Sequence, residues 1–115
     1  MTKELLYHIY SHPLIGETEL EKIIQAHQSV SFKKGTFILK EGEISDGYLI
    51  MENGLMRSFA HNYNGNDITT DFFSNQEIVI EVLSLFQRMP AGENIQALTD
   101  CECWEIKFDA FQELF

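Results

Sequence analysis

Basic residues are scarce in this chain. Eight Lys and Arg stand against 18 Asp and Glu, a net charge of −10 over 115 residues. Non-specific DNA binding runs on Lys and Arg neutralising phosphates. The chain taken whole therefore repels a polyanion, and any DNA contact of a longer protein has to come from residues outside it. The same acidity serves plain solubility. Cysteine is nearly absent: Cys101 and Cys103 are the two, spaced i, i+2, where a strand does not let them bridge comfortably. That excludes a disulfide framework and makes a reducing cytoplasm the expected location. The N-terminus, Met1-Thr2-Lys3-Glu4-Leu5-Leu6, has no long apolar segment and no small-residue cleavage site, and no apolar run reaches the length of a membrane span, so neither secretion nor a membrane partner is expected. There is no Gly-x-Ser-x-Gly elbow and no Walker loop. The chain does not read as an enzyme.

What is present is core material, with 44% hydrophobic and 12% aromatic residues, enough to fold and of a length that predicts one domain over 1–115. Residues 1–29 read as helical. Leu5, Leu6, Ile9 and Tyr10 recur at helical spacing until Pro13. Thr18-Glu19-Leu20-Glu21 has capping-box form and predicts a helix start near Thr18, with Leu20, Ile23, Ile24 and His27 on one face. From Val30 the period changes. Lys34-Gly35 and Glu41-Gly42-Glu43 read as turns around strands at Phe37-Ile38-Leu39 and Tyr48-Leu49-Ile50-Met51. Asn53-Gly54 predicts a type I′ hairpin joining the latter to Leu55–Ala60, and Asn64-Gly65 a second hairpin into Ile68–Phe73. Ile78–Gln87 fits a strand or a short helix and is broken at Pro90-Ala91-Gly92. Ile95–Leu98 and Cys101–Ile106 read as a last strand pair around Thr99-Asp100. Phe108, Phe111, Leu114 and Phe115 fit a helix capped by Asp109. The chain stops inside that pattern, and a longer protein is expected. The fold class is mainly β with flanking helices: an antiparallel β-roll (a double-stranded β-helix, jelly-roll-like) over 30–107 with a short internal helix, and 108–115 opening a C-terminal helix.

The phrase Gly42-Glu43-Ile44-Ser45-Asp46, followed by an apolar strand and Gly54, resembles the cyclic-nucleotide-binding domain of the cyclic-AMP receptor/FNR (Crp/Fnr) family of transcription regulators. Phe72-Phe73-Ser74-Asn75-Gln76-Glu77-Ile78-Val79 is similar to the strand entering that family's phosphate-binding cassette, and Ile95-Gln96-Ala97-Leu98-Thr99-Asp100-Cys101-Glu102 to the strand leaving it. The resemblance implies a regulatory sensor domain. In such a domain a Gly-Glu pair opens a short helix and its Glu accepts from the ribose 2′-hydroxyl. Helix N-terminal amides and an Arg-Ser or Arg-Thr pair hold the cyclic phosphate. Here Ile80-Glu81 stands at the first pair and Ala91-Gly92 at the second. The implied ligand-binding residues are Ile80, Glu81, Val82, Leu83, Arg88, Ala91 and Gly92, with Arg88 the one nearby cation. Cyclic nucleotide is the cofactor the resemblance offers, and the missing arginine predicts that cyclic AMP binds weakly or not at all. An altered small-molecule effector is expected in its place. In the family, ligand moves a C-terminal helix that dimerises and aims a helix-turn-helix. DNA binding through a missing C-terminal domain and a full-length homodimer are therefore further expectations. The competing reading is a ligand-free protein-interaction module on the same fold.

Two other groupings carry less. His8 and His12 are i, i+4, but Pro13 disfavours helix there and no His-Glu-x-x-His pattern exists, so a surface pair is expected rather than a metal site. His61 stands alone among the strands, which leaves the metal-dependent cupin enzymes without their ligands. Cys101 and Cys103 fall on the strand face opposite Trp104, Ile106 and Phe108, and inert thiols are expected.

Overall fold

Two strands with apolar residues on both faces organise the molecule, because each can carry a core on either side. The computed structural model describes residues 2–115. In chain order it holds α1 (Glu4–Tyr10), α2 (Glu17–Gln25), β1 (Gln28–Phe32), β2 (Phe37–Leu39), β3 (Gly47–Asn53), β4 (Met56–His61) and β5 (Asp67–Phe73). Then come β6 (Ile78–Val79), α3 (Val82–Gln87), β7 (Asn94–Ala97), β8 (Cys101–Lys107) and α4 (Phe108–Leu114). The strands make two four-stranded sheets, β1-β8-β3-β6 and β2-β7-β4-β5, with antiparallel pairing throughout. This is the antiparallel β-roll with flanking helices that the strand pattern predicts.

The doubly buried strands are β3 and β8. Leu49, Met51, Cys101 and Cys103 point between the sheets, where they meet Leu39, Met56, Phe73, Val79, Ile95 and Ala97. Tyr48, Ile50, Trp104 and Ile106 point the other way, onto Leu5, Leu6, Ile24 and Leu85 from the helices. The alternation places Cys and Trp on opposite faces, as the sequence spacing requires. Each fully buried aliphatic side chain here is worth roughly 1.5–3 kcal/mol in water removed.

Four local expectations are corrected. Asn53-Gly54 is not a hairpin, since β3 and β4 lie in different sheets. Gly54 has φ 129°, and a Cβ there would come within 2.7 Å of Cys101 Sγ and 2.9 Å of the Asp100 carbonyl. The glycine serves a close crossing from sheet to sheet. Asn64-Gly65 does lie in a hairpin, but a longer one. Residues 62–66 connect β4 to β5, Asn62 N–H donates to the Asn66 carbonyl at 3.0 Å, and Gly65 alone of the pair has positive φ. β7 and β8 are not partners either, for the chain changes sheets at Thr99-Asp100, where the amides of Leu98 and Thr99 donate to the Leu55 carbonyl. Finally, neither expected cap operates. α2 begins at Glu17 behind Gly16, which puts Thr18 inside the first turn, and α4 begins at Phe108 directly off β8, which puts Asp109 inside it; neither helix has a side-chain cap bond. An acid in a first turn still favours the helix dipole.

Candidate functional site

The segment between β6 and β7 folds as a short helix flanked by two loops, and its anchor is the glycine phrase at 42–46. Glu81 precedes α3 in extended conformation. Its carboxylate accepts from the amides of Leu83 (3.3 Å) and Ser84 (3.0 Å), an N-cap. Ser84 is a polar residue inside an apolar helical run, and it is fully buried. Its hydroxyl oxygen accepts from the Ser45 amide at 2.7 Å. Past the helix, the Ala91 amide donates to the Glu43 carbonyl (2.7 Å) and the Gly42 amide to the Ala91 carbonyl (2.8 Å). The Asn94 side-chain oxygen takes the Glu41 amide at 2.9 Å. These bonds seat the cassette at both ends on residues 41–45.

Arg88 ends α3 with φ 55°, in the left-handed region. Its guanidinium donates to the Ser45 carbonyl at 2.7 Å and the Leu85 carbonyl at 3.3 Å, and lies 4.4 Å from the Phe108 ring centroid. It therefore bridges the cassette, the glycine loop and the first residue of α4. Of the residues implied by the resemblance, Ile80 and Glu81 border cavities on both sides and Val82 borders one. Leu83 is exposed, Ala91 is buried in the inter-sheet core, and Gly92 is exposed. Ser45 and Ser84, which do the docking, are not among those residues. The signal for Ser84 was its polarity within Val82-Leu83-Ser84-Leu85-Phe86; Ser45 lies in the glycine phrase that carries the resemblance, but nothing in the sequence gives it this docking role.

Two cavities flank Glu81. One, of about 220 Å³, is bordered by Glu43, Asp46, Glu81, Glu105 and Lys107 among aliphatic residues. There Lys107 pairs with Glu105 (3.5 Å) and Asp46 (3.6 Å). The other, of about 500 Å³, lies between β4–β5 and the cassette. Its polar border is Ser58, Thr70, Asp71, Glu81 and Glu93, and its apolar border includes Phe73, Ile78, Ile80 and Ile95. The Ser58 and Thr70 hydroxyls share a hydrogen bond of 2.8 Å. Both cavities thus combine hydrogen-bonding side chains with an apolar border.

A part-buried polar chain joins the helices to the roll. His27 Nδ1–H donates to the Ile23 carbonyl (2.8 Å), which leaves Nε2 to accept from the Tyr10 hydroxyl (2.9 Å); that oxygen in turn accepts from the Tyr48 hydroxyl (2.5 Å). Burial pushes the His27 imidazole below its ordinary pKa and the Tyr10 phenol well above its own. Phe111 of α4 packs edge-on against Tyr48, ring centroids 5.9 Å apart. Burial, with Cys101, Glu102 and Glu105 adding to it, pushes the Cys103 thiol up to about 12, so it stays protonated and unreactive. Among the described residues no helix is long and apolar enough to cross a membrane.

This architecture is shared with solved structures of low sequence identity. The regulatory domain of Toxoplasma gondii PKA, crystallised with cAMP, superposes with TM-score 0.83 at 19% identity, over 97% of this chain and 43% of that one. The catabolite activator protein of Thermus thermophilus gives 0.77 at 18%, over 96% and 49%. A regulatory subunit of a cAMP-independent protein kinase A from Trypanosoma cruzi, bound to guanosine, gives 0.83 at 16%, over 96% and 39%. The chain thus spans less than half the length of each of these three structures. The model of the family described as "Cyclic nucleotide-binding domain" matches residues 29–115, and the chain belongs to that family.

Proposed function

We propose that this chain is the effector-sensing domain of a Crp/Fnr-type transcription regulator, one domain over 1–115, which binds a small molecule at the cassette and passes its occupancy to α4. The observation that carries the reading is Arg88. The residue that closes the cassette helix also stacks on Phe108, the first residue of α4. A ligand that draws α3 toward the roll shifts that contact, and it biases α4 by as much as its affinities for the two arrangements differ. Ile80, Glu81 and Val82 would face the ligand, while Arg88 and Ala91 hold the cassette on residues 42–45. The neighbours bound to cAMP and to guanosine support a nucleotide- or nucleoside-sized effector, and the likeness to a catabolite activator protein supports a regulator that reaches DNA through residues outside this chain. The role is regulatory rather than catalytic.

A second reading, a ligand-free interaction module, draws on the exposed apolar residues Val82, Leu83, Phe86 and Met89 in and just after α3. A thermal-shift panel of cyclic nucleotides, nucleosides, nucleobases and small metabolites separates the two. The sensor reading predicts at least one compound that raises the unfolding midpoint in a saturable way, as binding to the native state must. A flat response across the panel contradicts it and favours the module.

A further inference from the structure

The larger cavity has a one-sided charge. Asp71, Glu81 and Glu93 border it, and no Lys or Arg does. The cations nearest in sequence are engaged elsewhere. Arg88 is committed to the Ser45 and Leu85 carbonyls and the Phe108 ring. Arg57, next to Ser58, lies over Phe59 at 3.9 Å and pairs with Asp67 at 3.4 Å. Lys107, at the smaller cavity, already has two carboxylate partners. Ionised carboxylates only accept hydrogen bonds. A phosphate diester is likewise an acceptor and carries a negative charge; Glu81 stands where the family keeps its ribose acid, but Asp71 and Glu93 add repulsion that no bordering Lys or Arg offsets. A sugar hydroxyl or a base N–H offers what these carboxylates take, and the Ser58–Thr70 pair can both give and accept.

We infer that this cleft selects against phosphate and takes a neutral, hydroxyl-rich ring compound of nucleoside type, with its flat ring against Phe73, Ile78, Ile80 and Ile95 and its hydroxyls toward Glu81, Glu93 and Asp71. The volume of about 500 Å³ fits such a ligand. The inference rests on the sensor reading and narrows it: the cassette of a cyclic-nucleotide-binding domain, stripped of its phosphate cation, reads the sugar and base alone.

Calorimetry on the intact chain tests this with adenosine and guanosine against cyclic AMP and cyclic GMP. The expected result is that at least one nucleoside binds about tenfold or more tightly than its own cyclic phosphate, the span of one charge-assisted contact. A cyclic nucleotide that binds as tightly as its nucleoside overturns the inference while leaving the sensor reading intact. No heat from any of the four also overturns it, and the broader panel then decides the sensor reading on its own. Glu93→Lys supplies the mechanistic check, because Glu93 is half-exposed in the bend before β7. It should move the ratio of cyclic AMP to adenosine affinity by about tenfold toward cyclic AMP, with Glu93→Gln moving it the same way by less. An unchanged ratio in both variants, with unaltered unfolding midpoints, contradicts a carboxylate-based rejection of phosphate.

Discussion

The Arg88 guanidinium donates to the Ser45 carbonyl across 2.7 Å and lies over the Phe108 ring, 4.4 Å from its centroid. The cation nearest to the cassette in sequence thus serves its architecture. Arg88→Ala is expected to cost about 1.5–3 kcal/mol, the range for hydrogen bonds to a charged group, read by urea denaturation. It should also uncouple α4 from the cassette, so that the best compound of the thermal-shift panel still binds the variant but no longer shifts the α4 amides. A variant whose α4 amides respond to the compound as those of the natural chain do would take Arg88 out of the account.

Gly54 and Gly65 separate two uses of glycine. Both have positive φ, but a Cβ at Gly54 collides with Cys101 and Asp100, whereas at Gly65 it meets nothing within 4 Å. Gly65→Ala should therefore cost about 1 kcal/mol of backbone strain. Gly54→Ala adds overpacking against backbone and should cost about 2–4 kcal/mol. Equal midpoints for the two variants would contradict the sheet-to-sheet crossing as the reason for Gly54.

The buried chain from His27 to Tyr48 predicts acid sensitivity. His27 titrates below its ordinary value of 6.5 because burial disfavours the imidazolium, with Lys3 adding a smaller push in the same direction against the Ile23 carbonyl. The unfolded state then binds the proton more readily than the folded state. Stability is complete above pH 6.5 and falls as pH drops from there toward the folded pKa. Denaturation midpoints at pH 7.5 and 5.5 should differ more for the natural chain than for His27→Gln. An identical pH response in the two proteins would remove His27 from the account.

At a net charge of −10, the chain by itself should give no gel-shift with duplex DNA at physiological salt and micromolar protein. A retarded band under those conditions would overturn that expectation.

What the sequence made legible was local. The alternation Cys101, Cys103 against Trp104, Ile106 gave both faces of β8, whereas Ile78–Gln87, open between strand and short helix, holds both β6 and α3, with only the resemblance pointing to Glu81 as the helix opener. Partners were not legible. Asn53-Gly54 and Thr99-Asp100 have the composition of tight turns, yet each hands the chain to the opposite sheet, because register in a roll is fixed by contacts between residues far apart in sequence. The site was half visible. Ile80 and Glu81 border the cleft, but Asp71, Glu93, Ser58 and Thr70 reach it from strands and loops that only the fold brings together. The left-handed turn that swings Arg88 onto Ser45 has no sequence signature at all, since it is held by tertiary bonds rather than by a glycine.

The central claim is that the cassette binds a small effector and that α4 responds. Amide chemical shifts, followed by NMR while the best compound of the thermal-shift panel is titrated in, test it most directly. The account predicts saturable shifts along residues 80–91 and at Ser58 and Thr70, with a second set in α4 from Phe108 to Leu114 tracking the same affinity. Shifts confined to a distant region such as the 62–66 hairpin loop, or a perturbed cassette with a silent α4, would contradict it.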